Sequence, residues 1–297
     1  MPSRLVGRPF GLETLEVIRE QLNWANGANR SEIARRVCRR LEWTNRSGTP
    51  ALMSARVALL RLHAAGLISL PPPRNGNGNR RRYQLDNKSL PAPQPLSCRL
   101  GDLEPVVCRL VSDQPQSRLW NSLIEQYHYL GHANLPGAQL RYLLYAKEDC
   151  LVGALGFGAA AWKLAPRDEW IGWNAQQRSR GLDLILNNAR FLIVPWARVP
   201  NLAGHLLRLC LRQLPEDFQQ RYGWQPLLLE SFVEARFEAH GYRATNWIYL
   251  GQTQGRGKKG THPVGGQSPL PLKQIWVYPL DRNFRRRLCP EEDAAHG

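Results

Sequence analysis

Three groups of residues in this chain have side-chain types and spacing suited to chemistry on a phosphodiester. The first is acidic: Asp168, Glu230 and Glu234. Carboxylates hold divalent cations that activate water or a 3′-hydroxyl, and Glu230 ends an apolar run (226–233, PLLLESFV) that would carry it on a strand. Asp168 and Glu230 are therefore candidate catalytic and metal-binding residues, with Mg²⁺ or Mn²⁺ as the cofactor. Ion pairing with the many arginines is the ordinary role of such carboxylates, and Asp168, next to Arg167, also suits a loop cap. The second group is Tyr127-His128-Tyr129 with His132. Tyr129 is a candidate nucleophile on phosphate and His128 a candidate proton-transfer group. A helix continuing past Gly131 would put His128 and His132 on one face. Tyrosines near a helix end also serve packing, and Tyr242 is a further tyrosine candidate. The adjacent-apolar histidine pattern of single-strand relaxases is absent. The third group is basic and aromatic: Arg243, Asn246, Trp247, Thr253, Arg256, Lys258 and Lys259, with Asn188 and Arg190 candidates for the same cleft. Glycines in GQTQGRGKKG (251–260) would let backbone approach a phosphate that the cations neutralise. Trp170, Trp173, Trp196 and Trp247 are candidates for stacking unpaired bases.

The elements that must position these groups fall into two parts. Residues 1–84 hold 15 Arg, no Lys and 5 Glu, a net +10 of the chain's +16. Apolar spacing predicts a helix over 12–22, a second opened by Ser31 as N-cap, and a third over 51–65 ended by Gly66. The second would show Arg35, Arg36, Arg39 and Arg40. The third would face the core with Leu52, Val57, Leu59, Leu60 and Leu62, and the outside with Ser54, Arg56, Arg61 and His63. A strand (67–70), the loop PPPRNGNGNRRR and a return strand (83–85) complete a winged helix-turn-helix order. In that reading the third helix enters the major groove, and Arg80, Arg81 and Arg82 on the wing meet phosphates or a minor groove.

We take 1–86 as a DNA-binding domain, 87–117 as a linker with an edge strand, 118–282 as a mixed α/β domain and 283–297 as a basic then acidic tail. In the third of these, a helix from Trp120 to near Gly131 precedes strands at 140–146, 150–157, 190–195, 226–233, 246–250 and 275–279. Helices at 201–214 and 235–242 fall between them. The fold class is α/β (α+β), and this order resembles the acetyltransferase-like (GNAT) fold. A resemblance of architecture does not carry function. At the place matching the pyrophosphate-binding turn stands Arg198–Gly204, where Pro200 lacks an N–H and one glycine remains, so no acetyl-CoA is expected.

Cys38, Cys98, Cys108, Cys150, Cys210 and Cys289 form no C-x-x-C pair and read as free thiols. With neither a long apolar run nor a secretory leader, a cytoplasmic location and no membrane partner are expected.

Several strings together resemble the DruA family, named for a component of the Druantia anti-phage system, with relatives in mobile elements, some joined to transposase domains. They are Tyr127–Gly131 (YHYLG), Arg167–Trp173 (RDEWIGW), Asn187–Trp196 (NNARFLIVPW), Leu229–Val233 (LESFV), and Tyr242–Trp247 (YRATNW) running into Gly251–Gly257 (GQTQGRG). The resemblance implies a DNA-binding protein of genome defence or DNA mobilisation. The expected activity is phosphodiester cleavage or strand transfer, as in a transposase or nuclease. The alternative is a non-catalytic DNA-recognition subunit of a defence complex. Duplex DNA is the expected partner; single-stranded DNA, a helicase or another defence or transposition protein, and a second copy of the chain are further candidates.

Overall fold

The computed structural model describes residues 4–6, 8–24, 28–45, 48–73, 95–254 and 271–290. The chain divides into two compact units, Met1–Gln84 and Leu85–Gly297.

In the first unit a two-stranded ribbon, β1 (Arg4–Leu5) and β2 (Arg8–Pro9), precedes helices α1 (Leu12–Asn23), α2 (Arg30–Arg40) and α3 (Leu52–Ala64). Asn29, not Ser31, caps α2, accepting from the Ser31 and Glu32 amides at 3.0 and 3.1 Å. Ser31 instead takes a hydrogen bond from Arg56. α2 buries Ile33, Ala34, Val37 and Cys38 against Leu15, Ile18, Ala55, Ala58, Leu59 and Leu62. Gly66, at φ 71°, closes α3 as expected, with its amide on His63 O and that of Leu67 on Leu62 O, both 3.0 Å.

The face of α3 differs from expectation. Small Ala55 and Ala58 meet the core, whereas Met53, Val57 and Leu60 are 69%, 37% and 47% exposed. Residues 67–70 form no strand among the described residues. The wing, its return strand and Arg80, Arg81 and Arg82 lie outside the described residues.

The second unit is a seven-stranded mixed sheet with helices around it. Its elements are β3 (Val107–Leu110), α4 (Gln114–Tyr127), β4 (Leu140–Ala146), β5 (Cys150–Ala159), α5 (Ala165–Ile171), α6 (Ala175–Gly181), β6 (Ile185–Ile193), α7 (Leu202–Tyr222), β7 (Leu228–Glu234), α8 (His240–Arg243), β8 (Ile248–Gln252), β9 (Lys273–Pro279) and α9 (Phe284–Leu288). The strand order is β3-β4-β5-β6-β7-β9-β8. Every neighbouring pair is antiparallel except β6 and β7.

That parallel pair matches for three positions only, Ile185 with Leu228, Leu186 with Leu229 and Asn187 with Glu230. Beyond it β6 stays with β5 and β7 with β9, so the two strands part. On β6 the register with β5 jumps from Asn188–Phe157 to Arg190–Gly156, which makes Ala189 the extra residue of a bulge.

Asp113 caps α4 on the Gln116 amide at 2.7 Å, and the helix begins at Gln114, six residues before the expected start. Gly156 lets α4 lie close on β5, since a Cβ there would sit 2.7 Å from the Trp120 ring. α5 and α6 were not legible as helices. Part of the expected tail forms α9, whose Phe284 and Leu288 are buried with Ile171, Trp173 and Leu184.

Candidate functional site

Where β6 and β7 separate, a cleft of about 710 Å³ opens. Its walls come from the end of α4 (Tyr127, His128, Tyr129), from β6 beyond the bulge, from Ser231–Val233 of β7 and from Arg236–Tyr242. At its inner end the Tyr242 hydroxyl donates to Asn188 Oδ1 at 2.7 Å and accepts from Ser231 Oγ at 3.0 Å. Tyr242 thereby ties the two strands together across the gap. Its phenol is buried and burial pushes its pKa above the ordinary value, so it is a structural bolt and not an attacking group.

Tyr129 stands at the open end. α4 stops at Tyr127 because His128 turns extended (ψ 130°), and Gly131 at φ 60° closes the turn with its amide on His128 O at 2.8 Å. The expected helix through Gly131 is therefore absent. His128 and His132 part company: His128 stacks on Tyr129 with centroids 4.8 Å apart, and His132 stands edge-on to Trp120 at 6.2 Å. Charges of both signs surround Tyr129, with Glu234 the strongest of them. Arg236 lies over its ring at 4.8 Å, and Arg190 also acts on its charge.

Arg190 is 9% exposed, donating to the Gly131 and Ala189 carbonyls at 3.2 and 2.8 Å, and among the described residues it makes no ion pair. Glu234 is balanced by Arg236 at 3.0 Å and Lys273 at 3.8 Å. Burial first, then Glu234, push the Tyr129 phenol up to about 12, against the pull of Arg236 and Arg190. Sequence reading missed Arg236 and Phe237, which follow β7 in a turn that no motif marks.

Burial, then Arg190 and Lys273, hold His128 down at about 4, so its ring is neutral at pH 7. Its Nδ1 accepts the Leu130 amide at 3.2 Å, which leaves the proton on Nε2 as a donor. A histidine that stays neutral when folded but titrates near 6.5 when unfolded supports the fold fully above that value. That support is lost as pH falls from 6.5 towards about 4. Denaturant unfolding across this window should show stability dropping with acidification, and His128→Gln should flatten the drop. An equal slope in both proteins would sink this assignment.

The acidic pair is not the open metal centre its residue types suggested. Arg167, fully buried, lies between the two carboxylates. Its Nη1 donates to Glu230 Oε2 at 2.6 Å and to Ala161 O at 2.9 Å, while Nε and Nη2 reach Asp168 Oδ1 at 2.9 and 2.6 Å. Glu230 Oε1 takes the Ala161 amide at 2.6 Å, and Asp168 Oδ2 takes the Leu164 amide at 3.2 Å with Arg178 at 3.6 Å. Burial pushes the Glu230 carboxyl above its ordinary pKa, and Arg167 opposes it. A cation would have to displace a guanidinium already bonded to both carboxylates, so these residues do not fit Mg²⁺ or Mn²⁺. Among the described residues no cluster of three His, Cys, Asp or Glu side chains is placed to hold a metal ion.

Three of the four expected tryptophan platforms are inside, and the fourth is half-buried. Trp173, Trp196 and Trp247 are buried, and Trp170 stacks on Phe284 at 5.0 Å. Arg243 and Asn246 are exposed, the former 5.8 Å from the Trp276 ring. Arg256, Lys258 and Lys259 lie outside the described residues. In the turn before α7, Asn201 takes the left-handed conformation (φ 62°) behind Pro200.

In the first unit, Arg36 pairs with Glu32 at 3.2 Å, Ser54 is half-buried, and Arg35, Arg39 and Arg40 are exposed. Among the described residues those three make no ion pair. If they bind phosphates, changing all three to alanine should flatten the slope of log affinity against log salt by about 2–3. An unchanged slope in a titration with labelled duplex would remove α2 from the interface.

A family described as Druantia protein DruA matches residues 76–262, more than half of the chain. The chain belongs to the DruA family. Most of this DruA-type region is the mixed sheet and its cleft. No curated protein matches the chain. Among solved structures it is similar to a Vibrio cholerae spermidine N-acetyltransferase in complex with CoA and spermine, at 10% identity over 59% of this chain and 95% of that one, TM-score 0.38. It is also similar to a Drosophila melanogaster polyamine N-acetyltransferase, at 14% identity over 59% of this chain and 99% of that one, TM-score 0.36. With nourseothricin acetyltransferase the identity is 15% over 48% and 66% of the two chains, TM-score 0.31. At such identities no site residue passes from these enzymes to the DruA-type region. Among the described residues no helix is long and apolar enough to cross a membrane.

Proposed function

We propose that this DruA-family chain is a DNA-binding protein of genome defence or DNA mobilisation that cuts or transfers a DNA strand at Tyr129. The carrying observation is the cleft: an accessible phenol, with the guanidinium of Arg236 over its ring and the ion-pair-free guanidinium of Arg190 acting on it. In this reading the arginine-rich first unit grips duplex DNA through counterion release. Tyr129 Oη attacks phosphorus and forms a phosphotyrosyl ester, as the bond to the departing deoxyribose oxygen breaks. The phenolic proton leaves to solvent at the open mouth, and the departing oxygen is protonated from solvent. Arg190 and Arg236 stabilise the charge that grows on the non-bridging oxygens. His128, neutral with Nε2–H, serves as a donor to the phosphate and not as a base. No step runs through a metal.

The second reading, a non-catalytic DNA-recognition subunit, is favoured by the rise of the Tyr129 phenol to about 12, which leaves little phenolate at neutral pH. Incubation with nicked and gapped DNA, followed by denaturing electrophoresis, separates the two. A detergent-stable protein–DNA adduct is expected from cleavage at Tyr129. Binding with neither adduct nor cleavage, on every DNA form, would leave recognition alone.

A further inference from the structure

We propose that the cleft takes an unpaired nucleotide, its base stacked on Phe237 and on the Arg236 guanidinium that caps the Tyr129–Phe237 pair. This rests on the DNA-processing reading and names the form of its substrate: single-stranded or extruded DNA.

Tyr129 and Phe237 are 39% and 41% exposed, with ring centroids 5.1 Å apart and planes tilted by 51°. Neither belongs to the buried clusters of the core. The Arg236 guanidinium lies over both rings, at 4.8 and 4.9 Å from their centroids, and His128 stacks on Tyr129 at 4.8 Å, so the surface left for a base is the exposed part of Phe237 with the solvent side of the Arg236 guanidinium. Aromatic rings and arginine planes stack bases of any identity.

Among the charges near the cleft, Glu234 is met by both Arg236 at 3.0 Å and Lys273 at 3.8 Å, Glu238 lies 3.0 Å from His240, and Arg190 stays without an ion pair among the described residues. A base seated on Phe237 also lies beside Tyr129, whose ring centroid is 5.1 Å away.

The test uses the full chain with three probes: a labelled single-stranded oligonucleotide, its duplex, and the same strand carrying a fluorescent base analogue that is quenched on stacking. Phe237→Ala should weaken single-strand binding about tenfold and abolish the quenching, leaving duplex affinity unchanged. Phe237→Trp should restore both. The proposal is overturned if Phe237→Ala binds and quenches the single strand as the native chain does, as it would if the patch docks a protein. It is equally overturned if duplex affinity falls in step, or if Phe237→Trp does not restore binding. A native chain that binds no DNA of either form would instead defeat the function proposed above.

Discussion

Replacing Arg167 with methionine should lower the free energy of unfolding by about 3–5 kcal/mol, the usual cost of stranding one partner of a buried ion pair. Arg167 and Glu230 are both fully buried. Without the guanidinium, Glu230 keeps only the Ala161 amide, and Asp168 loses two hydrogen bonds. Glu230→Ala should cost less, because Arg167 keeps two hydrogen bonds to Asp168 and one to the Ala161 carbonyl. Changing both together, Arg167→Met with Glu230→Leu, should recover part of the loss, since the fully buried carboxylate goes with its partner while Asp168 keeps the Leu164 amide and Arg178. Urea unfolding of the four proteins measures this. An Arg167→Met protein as stable as the parent would refute the structural role of the pair. The result also governs how activity data are read: loss of cleavage in Glu230→Ala would report a weakened fold before it reported a missing metal ligand.

Tyr129→Phe should abolish the covalent adduct and reduce strand cleavage about 10⁴-fold or more, since the substitution deletes the attacking atom. Duplex affinity should stay unchanged, and so should the stacking signal, because the ring remains. Arg190→Ala should slow cleavage about 10²–10³-fold by removing a preorganised cation from the charge that forms on phosphorus oxygens. With the phenol raised to about 12, the phenolate fraction grows about tenfold per pH unit through the neutral range. Single-turnover cleavage should therefore speed up with alkalinity. Cleavage that persists in Tyr129→Phe at the parental rate would exclude this residue as nucleophile.

The sequence was most readable where a single periodicity ruled. Leu140–Ala146 and the apolar runs that became β5, β7 and β9 named their own strands, and α2 declared a buried and a basic side. α3 was harder because large apolar residues surround it. Two alanines, small enough to let α2 approach, took the inside positions and left Met53, Val57 and Leu60 outside.

The site was legible in its parts but not in its grouping. Asp168 and Glu230 were rightly matched as neighbours, yet the residue between them was in plain view as Arg167. What sequence lacks is depth: nothing in the string Arg167-Asp168 says that the guanidinium is buried 63 positions away from its second partner. Tyr129 and His128 were found by type. Arg236 and Phe237 were missed because their relation to Tyr129 is set by how far β7 diverges from β6, a three-dimensional quantity without a local signature.

The seam of only three matched positions makes the sheet two antiparallel slabs, one of four strands and one of three, butted along a short weld. How wide the gap stands past that weld is governed by a hydroxyl tie among Asn188, Ser231 and Tyr242 rather than by strand pairing. Aperture is thus separable from architecture. Exchanges at those three positions would act on the inner end of the gap while each slab keeps its own ladder of bonds, and so one scaffold could be refitted without being rebuilt.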